Sequence, residues 1–373
     1  VSTKRRRKWL GVLMAFFLNG SAHFVTGCRT AGVTWYLSIH GIQFLSVILI
    51  AVPGTATLIL GVSGILFWLA AWIVMLVGSH RPIPSLGVKG WIGFLFALLL
   101  IRAGEQIVLH TFVQSFKVSG GAMQPTINGI RVESWSEGDG RRPSLMDRAL
   151  RGAKFIEVRA RNSGTFVRYG RRTGCSLHVD SYRIGPEHYE MPRSAVPRVS
   201  RDEVVSEGDL LWSGIRRPGD HLFAEKISYR FREPKRGDVV VFSTDSIQHV
   251  QVRAGDFYVK RVAGLPGDRV SIHPPDLLIN GEKLKVPKIF DRIASGQDGY
   301  NGFVPATGRS SGAFLSDTND IVKLGEDEYL VLGDNTHYSL DGRYFGPISR
   351  SSIVGRITRI YWPFDRIKAL DGK

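Results

Sequence analysis

Cysteine is nearly missing from this chain: 373 residues hold only two, Cys28 and Cys175. They form no spaced pair, so neither a disulfide framework nor a thiolate metal site is written into the sequence. Histidines and cysteines do not cluster at metal-ligand spacing either, and no metal or cofactor is implied. Acidic residues are short as well, 33 against 49 lysines and arginines, for a formal net charge of +16. A surplus of that size fits nucleic acid or anionic lipid as a partner. No helix-turn-helix, zinc or aromatic-basic motif accompanies the charge, which sets nucleic acid aside. Lys4, Arg5, Arg6, Arg7 and Lys8 directly precede the first apolar stretch, and that placement favours anionic membrane lipid. Internal repeats are lacking too.

Long apolar runs are absent beyond about residue 113, yet they dominate what comes before. The stretches 33–52, 55–78 and 90–112 reach the roughly 20 residues that a bilayer crossing takes. A fourth, 9–27, is interrupted by Asn19, Gly20, Ser21, His23 and Thr26. Lysine and arginine prefer the cytoplasmic side, so the basic N-terminus, Arg29, Arg81 and Lys89 are expected inside. Both flanks of 9–27 are then inside, and that segment re-enters or lies in the interface. The expected anchor, residues 1–113, is multi-pass and delivers the rest of the chain to the outer face. A basic run before an apolar stretch also fits a secretory signal, but the further spans argue for an anchor. In this topology Cys28 and Cys175 lie on opposite sides of the membrane and cannot bridge.

The polar remainder reads mostly as β-structure. Residues 237–242, 256–260 and 328–332 are short β-branched or aromatic runs bounded by Gly, Asp or Pro. Asn280-Gly281, between Leu277-Leu278-Ile279 and Glu282-Lys283-Leu284, predicts a tight hairpin turn. Residues 128–218 are Arg-rich and strand-like in parts, with no chemical motif. Residues 292–320, rich in Gly, Ser, Asp and Asn, read as loop.

Four motifs stand out in order. The first is Ser119-Gly120-Gly121-Ala122-Met123-Gln124-Pro125-Thr126-Ile127, directly after the apolar region. Tyr258-Val259-Lys260-Arg261-Val262 follows, with Gly264-Leu265-Pro266-Gly267-Asp268 just behind it. Then come Gly333-Asp334-Asn335 and, last, Ser339, Asp341 and Arg343. A lysine can act as a base only when neutral, and burial against apolar groups favours that form. Lys260 lies among Phe257, Tyr258, Val259 and Val262. Read alone, it is equally an ordinary solvent-facing lysine on an edge strand, and the last three residues equally form a polar turn.

Together these motifs resemble the type I signal peptidases, membrane-bound serine–lysine proteases, over about 115–127 and 219–346. The resemblance implies N-terminal transmembrane α-helices followed by a mainly β extracytoplasmic catalytic domain. That domain comprises 114–127 and 219–373, and 128–218 is an insertion of unknown role. The family's nucleophilic serine directly precedes Met-x-Pro-Thr, where this chain has Ala122. The resemblance further implies that Lys260 is the general base and that the Ser339 hydroxyl orients its amine. Asp341 and Arg343 fall on a supporting ion pair, near Gly333 and Asp334. The oxyanion hole would rest on backbone N–H groups, notably that of Ala122, because some relatives place a serine hydroxyl at the position of Gly120. Losing one such donor costs on the order of 100- to 1,000-fold in rate. Peptide substrate would add to the edge of strand 115–119, with small residues read by pockets walled by Phe116, Val118, Met123, Val241, Tyr258 and Val259. The same side chains are equally what a core would contain.

The function expected is therefore signal peptidase I, an endopeptidase removing N-terminal signal peptides from exported preproteins after Ala-x-Ala sites. It would sit in the bacterial cytoplasmic membrane, with signal peptides and anionic lipid as partners. A methyl group cannot attack a carbonyl, so Ala122 makes this chain an inactive form that still binds substrate. Retention of Lys260, Ser339, Asp341 and Arg343 favours deliberate replacement of the nucleophile. The alternatives are a natural pseudoenzyme that binds signal peptides without cleavage, and a serine–lysine peptidase specialised for conjugation or pilus precursors.

Overall fold

The computed structural model of the protein describes residues 29–51, 55–79, 111–135, 142–173, 178–192, 197–306 and 313–370, plus isolated positions within 12–21 and 92–99. The chain divides into two units, Val1–Gln114 and Ser115–Lys373.

In the first unit, helices α1 (Arg29–Ala51) and α2 (Thr55–Gly78) cover two of the expected spans. Small residues let them approach closely: a Cβ at Gly64 would collide with the Ser46 hydroxyl. Ile39 and Met75 are buried between them, flanked by Trp35, Trp68 and Trp72. Among the described residues one helix is long and apolar enough to cross a membrane, over Ile59–Val77. That helix lies within one of the expected spans, and the other expected crossings are not established among the described residues. The polar positions Ser38, His40 and Gln43 interrupt α1. The expected segments 9–27 and 90–112 lie almost wholly outside the described residues, as do Cys28 and Cys175.

The second unit is mainly β. Its principal sheet contains β1 (Val113–Lys117), β2 (His221–Glu225), β3 (Val239–Ser243), β4 (Phe257–Gly264), β5 (Glu328–Leu332), β6 (Ile348–Ser349), β7 (Ile353–Trp362) and β8 (Lys368–Ala369). The spatial order is β1-β2-β7-β3-β4-β5-β6, with β8 on β7. β3 and β4 are antiparallel with Val240 opposite Lys260, Val241 opposite Val259 and Phe242 opposite Tyr258. Since side chains alternate along a strand, the two faces feed different cores. Met123, Ile127, Val239, Val241, Ile357 and Ile360 share one. Val240, Phe242, Val262, Tyr329 and Val331 share the other.

Beyond β4 the chain forms a four-stranded sheet around Arg269–His273 and Asp276–Ile279. Its hairpin turns at Asn280 and Gly281, whose φ angles of 53° and 87° are those the Asn-Gly signal predicts. Helix Lys288–Ala294 packs on this sheet, burying Ile289, Phe290 and Ile293. That helix replaces the first residues of the expected loop at 292–320.

Residues 128–218 build their own core. Strands Arg131–Ser134 and Lys154–Arg159 flank Leu210–Arg217, and a second three-stranded sheet spans 167–192. Phe166, Tyr182, Ile184, Met191, Leu211 and Trp212 are buried among them. The ends of the segment are tied together: the Asn128 and Asp220 backbones bond at 2.8 Å, and the Asn128 N–H donates to the Asp220 carboxylate at 2.8 Å. Gly219 permits the contact, since a Cβ there would overlap the Val118 carbonyl.

Candidate active site

Position 122 sits in a tight turn that follows β1. The Gln124 N–H donates to the Gly121 carbonyl at 3.1 Å and the Ile127 N–H to the Met123 carbonyl at 2.8 Å. Asn335 holds this turn from the side. Its backbone N–H donates to the Ala122 carbonyl at 3.0 Å and its side-chain amide to the Gly121 carbonyl at 3.3 Å. Position 122 is half-buried, whereas Met123 is fully covered.

Gly333, directly after β5, is the meeting point of the candidate residues. A Cβ on it would strike the Ser339 hydroxyl and the Ala122 carbonyl, so only glycine allows these segments to converge. Its N–H donates to Asp341 Oδ2 at 3.0 Å. The Ser339 hydroxyl is buried and has no hydrogen-bond partner among the described residues. The bond to the Lys260 amine implied by resemblance is therefore not made in this structure. Lys260 itself is only 5% exposed, and its Nζ lies 5.5 Å from the centre of the Tyr258 ring.

Asp341 and Arg343 are both wholly buried. Arg343 Nε donates to Asp341 Oδ1 at 2.8 Å and Nη2 to Oδ2 at 3.0 Å. Nη1 donates to the Val304 carbonyl at 2.7 Å, and Nη2 is shared further with the carbonyls of Thr336 and Ser339 at 2.7 and 2.9 Å. Burial alone would raise the Asp341 carboxyl. The Arg343 guanidinium, the Gly333 N–H and the nearby Lys260 charge outweigh it and hold the group below the usual carboxylate range.

Asp334 belongs to a second buried network. Arg261 grips it through Nε at 2.8 Å and Nη2 at 2.6 Å, and Thr126 donates to it as well. Tyr300 contacts Thr126 Oγ1 at 2.8 Å. Burial costs the Arg261 guanidinium, but the Asp334 carboxylate more than compensates and raises it above its ordinary value.

The expected pocket walls divide. Phe116, Val118, Met123, Val241 and Val259 join one apolar cluster. Of these, Met123 and Val241 are buried core, while Phe116, Val118 and Val259 are half-buried. Tyr258 projects to the other face with Val240 and Phe242, toward Lys260. β1 stands at one end of the sheet order, as an edge that can accept an added strand. Gly120 lies against Gly129, where a Cβ would collide with its carbonyl. Sequence reasoning assigned no role to Thr126, Tyr300 or Asn335. Thr126 and Asn335 fall inside the quoted motifs, but Tyr300 carried no signal. Among the described residues no group of His, Cys, Asp and Glu could hold a metal ion.

Residues 216–362 match the family described as signal peptidase, peptidase S26. The probable signal peptidase I-2 of Synechocystis sp. is 35% identical over 171 residues, covering 44% of this chain and 67% of that protein. Signal peptidase I of Leptolyngbya laminosa is 34% identical, covering 40% of this chain and 64% of its own length. Signal peptidase IB of Staphylococcus aureus is 33% identical over 155 residues, covering 41% and 73% respectively. Among solved structures, a signal peptidase I from Enterococcus faecalis V583 is 27% identical and covers 34% of this chain and 98% of that one, with a TM-score of 0.25. The chain thus spans about two thirds of the length of the two cyanobacterial relatives.

Proposed function

The chain belongs to the signal peptidase I family, peptidase S26, and we propose that its β unit holds signal peptides of exported preproteins in a peptidase site lacking its nucleophile. The observation that carries this reading is the convergence at Gly333. The Ala122 carbonyl and the Ser339 hydroxyl meet there, and the Asp341–Arg343 pair is bonded directly behind. The buried Lys260 supports the same reading, as the base that serine–lysine chemistry requires.

With serine at position 122 the steps follow from these groups. The hydroxyl oxygen attacks the scissile carbonyl carbon as Lys260 takes its proton. The carbonyl oxygen, now negative, is met by backbone N–H groups including that of residue 122. The C–N bond breaks as the lysine returns the proton to the departing amine. Water, deprotonated by the same amine, then releases the acyl group. With alanine none of these steps begins, and what remains is binding.

Binding would use the free edge of β1 for the peptide backbone, with Phe116, Val118 and Val259 shaping the space for small side chains. The basic residues 4–8 and the apolar helix Ile59–Val77 support a place at an anionic membrane surface, in a bacterial cytoplasmic membrane with the β unit outside. The test is titration of a fluorescent signal peptide carrying an Ala-x-Ala site into the detergent-solubilised chain. Saturable binding that is lost in Val118→Glu is expected. A peptide that binds no better than a scrambled sequence would remove the reading.

A further inference from the structure

Three atoms spaced along one extended segment each hold a different part of the site. The Tyr300 hydroxyl meets Thr126, below the turn that carries position 122. The Gly302 carbonyl accepts from the Thr336 hydroxyl at 2.7 Å, in the loop between Gly333 and Ser339. The Val304 carbonyl accepts from Arg343 Nη1 at 2.7 Å. This strap is itself anchored, because Tyr300 and Phe303 are buried in the core with Ile289, Phe290 and Ile293. It lies in a stretch that matched none of the motifs carrying the chemistry.

The direction of the Tyr300 bond follows from counting protons. Thr126 has one hydroxyl proton, and Asp334, gripped by Arg261, is a carboxylate that can only accept. Thr126 therefore donates to Asp334 and must accept from Tyr300. The chain of donation runs Tyr300 to Thr126 to Asp334, ending on a charge, which strengthens each bond before it. Thr126 lies within the single turn closed by Ile127 N–H on the Met123 carbonyl. Asn335, the neighbour of Asp334, donates its backbone N–H to the Ala122 carbonyl. Thr126 and Asp334 thus couple both supports of position 122.

We propose that Tyr300 is a positioning residue of this site: its hydroxyl, acting through Thr126 and Asp334, sets where the side chain at position 122 stands relative to Lys260. The kinetic part of this inference rests on the peptidase reading above. Tyr300→Phe keeps the ring in the core and removes only the donor.

Two readouts on the full chain in detergent test it. In the chain as it stands, Tyr300→Phe should speed hydrogen exchange at the Ile127 and Asn335 amides by about tenfold or more, leaving the Leu211 and Val270 amides unchanged. Unchanged exchange at Ile127 and Asn335, or a rise spread equally over all four amides, overturns the proposal. In the Ala122→Ser form, the same change should lower kcat with KM within about twofold, since misplacing a reacting group by about 1 Å costs up to about 100-fold. Thr126→Val should give the same loss, and the double variant should be no worse than either single one. An unaltered kcat, or fully additive losses, overturns the proposal. If Ala122→Ser cuts nothing at all, the peptidase reading has failed, and the exchange readout alone decides the role of Tyr300.

Discussion

Replacing Arg343 by Met removes the partner of a carboxylate that no solvent reaches. Asp341 would keep the Gly333 N–H but lose both guanidinium bonds, and the carbonyls of Val304, Thr336 and Ser339 would lose their donors. Breaking a buried pair from one side costs about 3–5 kcal/mol, because the remaining charge stays uncompensated. With a urea slope of about 3 kcal/mol per molar, that loss moves the unfolding midpoint down by about 1–2 M. The pH dependence carries the sharper signature. In the parent, the depressed Asp341 carboxyl contributes stability above the unfolded carboxyl value of about 3.9, and this is lost as pH falls through the folded value. In Arg343→Met, burial dominates and the carboxyl is raised, so stability falls as pH rises through the new value. The deficit should therefore be larger near neutral pH than at about pH 4. Urea titrations of the β unit's tryptophan fluorescence at both pH values provide the assay. A midpoint shift below about 0.3 M, or an equal shift at both pH values, would refute the reasoning.

The turn at Gly333 is equally exacting. Gly333→Ala, placed in the Ala122→Ser form, should reduce cleavage by about 100-fold or more, since the new methyl separates Ser339 from residue 122; near-normal turnover would show that the segments need not meet. Because Asn128 and Asp220 are hydrogen-bonded to each other, replacing 129–218 by a short linker should leave peptide cleavage by that form intact. A folded deletion variant without activity would give the insertion a part in the site. A reporter fused after residue 370 should be active only in the extracytoplasmic space, and cytoplasmic activity would reverse the proposed topology.

Much of the candidate site was legible because the residues proposed for it lie in short contiguous motifs. Lys260, Ser339, Asp341 and Arg343 could each be named from local spacing and a family likeness. The β strands around 239–243, 257–264 and 328–332 announced themselves by β-branched and aromatic runs. Tyr300 could not be found in this way, since its partner Thr126 is 174 residues away and nothing local marks the pair. The facing of Tyr258 follows from strand alternation, which puts it on one side with Lys260 and opposite to Val259, and the register against β3 agrees. The insertion read as Arg-rich and strand-like in parts, but its separate core stayed hidden because residues such as Phe166, Met191 and Trp212 are scattered among arginines along the chain. The anchor was read from apolar length, and among the described residues Ile59–Val77 in α2 qualifies as a span, while α1 carries more polar positions.

If this is a peptidase site disabled at position 122, one hydroxyl should restore it. The most direct test is cleavage of a preprotein with an Ala-x-Ala site by the chain, by Ala122→Ser, and by Ala122→Ser combined with Lys260→Ala. The first should cut nothing, the second should cut, and the third should again be inactive. An Ala122→Ser form that folds and binds signal peptide but leaves the preprotein whole would contradict this reading.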